Sequence, residues 1–380
     1  MARPATSPLG ARIAARIANF GPITVADYMA EALTHPQHGY YMSGDPFGTR
    51  GDFITAPEIS QMFGELIGLW CADAWARMGA PAPARLVELG PGRGTLMADA
   101  LRAGRAAPGF LQAVDVHLVE ASPALRKRQQ AALRGASVAA GATIAWHDSL
   151  ARVPEGPLLL IANEFFDALP VRQFERVGGD GPARWNERVV ALAPDGVSLV
   201  FAAMPAAPGL IQTLPDQLRD AAPGAVVEVS IPATALAGEI GRRLTAHGGA
   251  ALAIDYGHAR PRTGATLQAV RGHGAHHVLA APGTADITAH VDFSALARAA
   301  AARGARAWGP VDQGAFLGAL GIEARAATLR AAASPKQTAD IDTAMERLTD
   351  PARMGTLFKA LALTGAHSEP PAGFPATPTA

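Results

Sequence analysis

Cysteine occurs once in this 380-residue chain, at Cys71, which excludes an internal disulfide and any zinc cluster built on cysteines. That scarcity is compatible with a reducing compartment, and the cytoplasm is the expected location. An excess of one charge is lacking too: 33 basic residues balance 33 acidic ones, so electrostatics offers no case for nucleic acid or an anionic membrane as a partner. Lysine is nearly missing, with only Lys127, Lys336 and Lys359, and arginine supplies the rest of the positive charge. No run of 18 or more apolar residues appears, and the N-terminus carries no signal-type apolar core, so no spanning segment or secretion signal is expected. An organelle presequence has little room, because the pattern from Leu9 to Asn19 already reads as a structural helix.

What is present is a globular composition, 49% hydrophobic and 17% charged, in a chain long enough for one large domain or two ordinary ones. Residues 9–20 and 24–33 read as two helices, the second capped by Thr24. A loop-rich stretch over 38–60 then leads into a helix over about 58–78, and this opening section is expected to form an N-terminal helical lobe and lid over 1–80. From residue 85, short apolar runs alternate with helices (RLVEL, DVHLVE, ATIAWH, LLLIAN), which predicts an α/β, doubly wound, mostly parallel sheet. The core is placed at 81–170 and again at 226–366. Between them, 171–225 reads as an inserted antiparallel, β-rich segment turning at Pro194-Asp195-Gly196. A helix is read over 292–303, followed by a helical C-terminal stretch, and 367–380 is proline-rich and expected to be disordered.

The stretch LVELGPGRGTLMADAL sets Gly90, Gly92 and Gly94 between a strand and a helix. Such a turn leaves backbone N–H groups without internal partners, and glycine lets a ligand approach them closely. A pyrophosphate site would prefer the spacing G-x-G-x-x-G, and the strand here ends in an acid, Glu88, which repels phosphate but suits a ligand bearing an amino group. S-adenosylmethionine is such a ligand. Glu88 and the loop would take its methionyl part, Glu120 at the next strand end its ribose, and Asp148 with Ser149 at the third its adenine. The alternative is that the glycines only make a tight turn and that Glu120 and Asp148 are caps. No metal is expected, since His273, His276 and His277 lie in a Gly-rich loop without companion ligands.

A wholly apolar run ends abruptly in LLLIANEFFDALP, putting Asn163, Glu164, Phe165, Phe166 and Asp167 at the same carboxyl edge. Asn163 and Glu164 would lie near the methyl group and Phe165 or Phe166 would shield it, unless Asn163 and Asp167 merely cap a helix and the phenylalanines are core. With these stretches, GPITVADYM, HGYY, GDFITAPEIS, FGELIG, AIDYG and TAHVDFSAL, the sequence resembles the MidA-like family of S-adenosylmethionine-dependent methyltransferases over roughly Leu9 to Thr364. The mitochondrial members of that family are complex I assembly factors that methylate an arginine of a core subunit. The resemblance implies a class I methyltransferase (Rossmann-like) fold, a helical lobe over the cofactor, and protein arginine as acceptor.

For an arginine, two carboxylates can hold the guanidinium in its fork geometry, and Glu164 and Asp167 are the candidates, with Glu228 and Asp255 in reserve. Arg50, Asp52, Thr55 and Glu58 would contact cofactor or substrate from the lid, or simply hold the loop together. Ser230 lacks the surroundings of a nucleophile elbow. A small-molecule methyltransferase and a non-catalytic assembly protein are the other readings, and a homodimer is compatible with the sequence.

Overall fold

A computed structural model describes residues 3–4, 7–42, 55–140, 143–178 and 184–377. Internal packing divides the chain into two units. The larger comprises Ile54–Phe166, Ala235–Ala259 and Phe293–Ala380. Its strands, labelled here for this unit alone, are β1 (Ala84–Leu89), β2 (Val114–Val119), β3 (Ile144–His147), β4 (Leu158–Asn163), β5 (Gly249–His258), β6 (Arg306–Asp312) and β7 (Phe358–Thr364). They run in the order β6-β7-β5-β4-β1-β2-β3. Pairing is parallel from β5 across to β3, and β7 lies antiparallel to both of its neighbours. All six residues of β4 are buried, as a strand with two neighbours and two covered faces requires. This is the doubly wound α/β architecture that the alternation predicts.

Three helices matter for the site: α1 (Gln61–Arg77), α2 (Thr95–Gly104) and α3 (Pro123–Ala140). Helix α1 sits so close to α2 that a Cβ on Gly68 would lie 2.5 Å from Ala100 Cα, so only glycine fits there. The packed side of α1 carries Phe63, Ile67 and Trp70 into the core shared with β1, β2 and β4.

The C-terminal part corrects two expectations. The helices Ile322–Arg330 and Pro335–Thr349 are present, but Phe358–Thr364, in a region read as helical, is a strand slotted between β5 and β6. FKALALT has no decisive propensity, and two unpaired strand edges that bury Ala360, Leu361 and Ala362 completely outweigh it. The tail is ordered further than its composition suggests. Trp70 Nε1 donates to Ala372 O at 3.1 Å, and the Phe374 ring packs 5.3 Å from that of Phe316.

The second unit comprises Met1–Phe53, Asp167–Thr234 and Arg260–Asp292. Strands Arg172–Val177, Arg184–Leu192, Ser198–Pro205 and Val226–Val229 form its antiparallel sheet. Asp195 makes the predicted turn, its Oδ1 accepting from Val197 N at 2.9 Å and Ser198 N at 2.8 Å. The segments Arg3–Pro4 and Ile23–Thr24 add to the same sheet, so the N-terminal residues and the inserted strands form one body rather than a lobe and a separate insertion. A long-range ladder decides this, which local pattern cannot report. For the same reason, packing groups α1 with the core unit, although its sequence position suggests the lobe. Among the described residues, no helix is long and apolar enough to cross a membrane.

Candidate functional site

The candidate site is built at the carboxyl ends of β1, β2 and β4. Strand β1 ends at Leu89, and Gly90, Gly92 and Gly94 follow at φ 62°, 55° and 85°, a left-handed run that L side chains resist. Gly90 N donates to Val119 O at 3.0 Å, which ties the turn to β2. Gly94 is the N-cap of α2 and supplies no side chain to cover its first N–H groups. A Cβ on Gly90 would meet Phe165 Cδ2 at 2.8 Å, so the Phe165 ring lies against the loop. Phe166, packed edge-on to it at 5.7 Å, is buried.

Two acceptors at adjacent strand ends stand out. Glu88 is 3% exposed, and its Oε2 has no hydrogen-bond partner among the described residues. Asn163, the last residue of β4, likewise buries an Oδ1 without a partner among the described residues. Buried acceptors in this condition cost free energy unless a donor arrives. Burial, reinforced by the nearby Glu120 carboxylate, pushes the Glu88 carboxyl up to about 8. A ligand ammonium would supply both the missing donors and the compensating charge, so the residues present fit a group with an amine, as S-adenosylmethionine has.

Glu120 follows β2 and is buried. Its Oε1 accepts from Ser122 N at 2.8 Å and its Oε2 from Gln129 Nε2 at 3.1 Å. Burial raises its carboxyl, opposed by those same donors. The third strand end differs in character: Asp148 and Ser149 are exposed, and Asp148 pairs with Arg126, which also donates to the main-chain oxygen of Glu120.

The segment before α1 closes on the loop from another side. Glu58 accepts from Thr95 Oγ1 and from Arg93 Nη1 at 3.4 Å, so this acid grips the residues that flank Gly94. Thr55 begins the short helix Ala56–Ile59 but makes no side-chain cap; Glu164 Oε1 takes the Ala56 N–H instead, at 2.8 Å. Arg50 and Asp52 lie outside the described residues.

Residues 164–171 form a turn, so Asn163 and Asp167 cap no helix there. Glu164 occupies a left-handed conformation, φ 48°, uncommon for a residue with a side chain and frequent at functional sites. Its N donates to Ile254 O at 2.8 Å, and its Oε1 also accepts from Asn163 Nδ2 at 3.2 Å. Asp167 is buried, and its main-chain oxygen accepts from Ala289 N at 3.0 Å. The boundary between the two units falls between Phe166 and Asp167.

Both reserve carboxylates are committed to structure. Asp255, fully buried, accepts from Phe165 N at 3.1 Å, Phe166 N at 3.0 Å and Tyr256 N at 2.9 Å, so it holds the turn after β4. Glu228 accepts from Gln173 Nε2 at 2.7 Å, Thr266 N at 3.0 Å, Leu267 N at 3.2 Å and Thr266 Oγ1. Sequence reasoning missed Gln129 and the partners of Glu58. Gln129 had a readable signal: it lies between the buried Leu125 and Leu133 at helical spacing, a polar residue in an apolar stripe.

Comparison with known proteins gives a consistent result. A family model described as an S-adenosyl-L-methionine-dependent methyltransferase matches residues 66–311. The mitochondrial protein arginine methyltransferase NDUFAF7 homolog of Drosophila melanogaster is 40% identical over 381 residues, spanning 93% of this chain and 84% of that protein. The Homo sapiens protein arginine methyltransferase NDUFAF7, mitochondrial, is 39% identical over 378 residues, spanning 94% and 83%. A Burkholderia thailandensis crystal structure bound to S-adenosyl-homocysteine is similar with a TM-score of 0.81 and 31% identity, over 96% of this chain and 93% of that one.

Proposed function

The chain belongs to the MidA-like family of S-adenosyl-L-methionine-dependent methyltransferases, with the class I methyltransferase fold, and from that premise we propose that it methylates an arginine side chain of a protein. The observation that carries the acceptor class is 39–40% identity over 93–94% of the chain to proteins named as protein arginine methyltransferases. An arginine of a core subunit of respiratory complex I is the first acceptor to test. A cytoplasmic location belongs to the same reading, on the strength of the single, buried cysteine; the relatives are named mitochondrial.

Bound S-adenosylmethionine supplies a methyl group on a sulfonium sulfur; the N–C bond forms as the C–S electron pair returns to sulfur, and the guanidinium gives up a proton. The protein's own residues bind and align. Glu88 and Asn163 take the ammonium with the oxygens that lack a partner among the described residues, and the glycine loop seats the methionyl part at the N-terminus of α2. Glu120 accepts from the ribose hydroxyls, and Asp148 with Ser149 borders the adenine. Phe165 keeps water off the methyl carbon, and Thr55 and Glu58 hold the loop side of the site. Glu164 and Asp167 orient the guanidinium. Two carboxylates favour its charged form, so their contribution is alignment and late proton acceptance rather than early deprotonation.

The acceptor class is tested by incubating the protein with radiolabelled S-adenosylmethionine and a lysate of its host lacking the gene. A labelled protein band containing methylarginine is the expected result; label confined to small molecules would overturn the reading.

Glu88 makes the affinity for S-adenosylmethionine depend on pH. Binding an ammonium requires the ionised carboxylate, so below about pH 8 binding must expel the Glu88 proton, and affinity rises from about pH 6 toward about pH 8. Above that, the ligand's own amine, with an ordinary pKa of about 8, loses its proton and affinity falls again. Calorimetry should show this bell, and Glu88→Gln should flatten its acid limb. A flat wild-type profile between those pH values would remove Glu88 from the ammonium site.

A further inference from the structure

Gln129 is wholly buried on α3, and three of its four amide hydrogen-bonding positions, including both N–H donors, are used. Nε2 donates to Gly92 O at 2.9 Å and to Glu120 Oε2 at 3.1 Å, while Oε1 accepts from Trp146 Nε1 at 2.9 Å. The indole N–H can only donate, so it decides which end of the amide is the oxygen and leaves both amide hydrogens for the loop and the carboxylate. The glycine turn packs onto the same residue, since a Cβ on Gly94 would sit 3.4 Å from Gln129 Cα. One side chain thus joins the middle glycine of the turn to the acid at the end of β2, and a third strand, through Trp146, sets its orientation.

We propose that Gln129 is a positioning residue for cofactor recognition: it fixes the direction of the Glu120 carboxylate and its distance from the glycine loop, so that ribose and methionyl ends are bound in register. The proposal rests on the reading that Glu120 accepts from the ribose. Ser122 N donates to Glu120 Oε1 and Gln129 to Oε2, with the Ala121 N–H a further backbone donor to the carboxylate, and lone pairs remain for two hydroxyls. Without the Gln129 bond, the carboxylate keeps its backbone donors at Ser122 and Ala121 but loses the side-chain donor that directs Oε2.

The decisive variant is Gln129→Glu, which keeps the shape, removes the Nε2 donations to both Glu120 and Gly92 O, and sets two carboxyls side by side. Calorimetry with S-adenosylhomocysteine should show about 10- to 100-fold weaker binding at pH 8, the loss of the charge-assisted bond to Glu120 together with the tie to Gly92. The deficit relative to the wild-type protein at the same pH should shrink toward pH 6, because a proton shared between the two carboxyls restores a donor. The 2′-deoxy analogue of the same ligand separates recognition from general destabilisation: the preference for the ribose hydroxyl should shrink in Gln129→Glu and, more weakly, in Trp146→Phe. A purely structural Gln129 would lower both affinities equally and leave that preference intact. Glu120→Ala separates the positioning role from the ribose contact itself. If Glu120→Ala abolishes the preference while Gln129→Glu retains it with no pH recovery, the positioning role is wrong and the ribose reading stands. If Glu120→Ala leaves the preference unchanged, the ribose reading fails and the proposal falls with it.

Discussion

Gly92→Val is expected to abolish S-adenosylmethionine binding, with affinity lowered more than 100-fold, while the core still folds. Gly92 sits at φ 55° in the middle of the turn and is half-buried. A β-branched residue at that φ adds strain of about 1 to 3 kcal/mol, which is small against folding of a unit this size but large against the placement of a few backbone N–H groups. The turn relieves the strain by moving, and it takes with it the carbonyl that Gln129 holds. Calorimetry and thermal unfolding measure the two quantities together. Near-native binding in Gly92→Val would refute the loop as the cofactor seat. If that variant does not fold, Gly92→Ala, with a smaller side chain, should fold and bind about tenfold or more weakly; native affinity in that variant would refute the loop equally.

Glu164→Gln is expected to lower methyl transfer about 10²- to 10⁴-fold while cofactor affinity stays near wild type, the signature of a group that acts on the acceptor rather than on the cofactor. The amide can still accept from Ala56 N through its oxygen, so the left-handed turn and the helix Ala56–Ile59 keep their tie and only the charge is lost. Asp167→Asn should act in the same direction. Full activity in both variants would reject the pair, and it could not be rescued by Glu228 or Asp255, whose oxygens already serve backbone and side-chain donors of their own units. Single-turnover measurements with the acceptor protein separate the transfer step from product release.

The residues that can be read one element at a time were legible. An apolar strand ending in an acid, a glycine turn and a helix is a local arrangement, and the sequence determined it, together with the Asp195 hairpin, the βα alternation and the family motifs. Glycine at positive φ and a short run of strand-forming residues need no distant partner to be interpretable. Other features had no local signature. FKALALT becomes a strand because two strand edges remain to be paired and buried, and the N-terminal Arg3–Pro4 and Ile23–Thr24 join the inserted sheet through a ladder that spans well over a hundred residues. The grip of Glu58 on Arg93 and Thr95, the capture of Ala56 by Glu164, and the Gln129 bridge likewise pair residues distant in sequence. Asp255 and Glu228 show the limit from the other side: a carboxylate near a strand end reads the same whether it faces a ligand or backbone N–H groups. Only the tertiary structure decides, because a buried acid is defined by the donors that surround it.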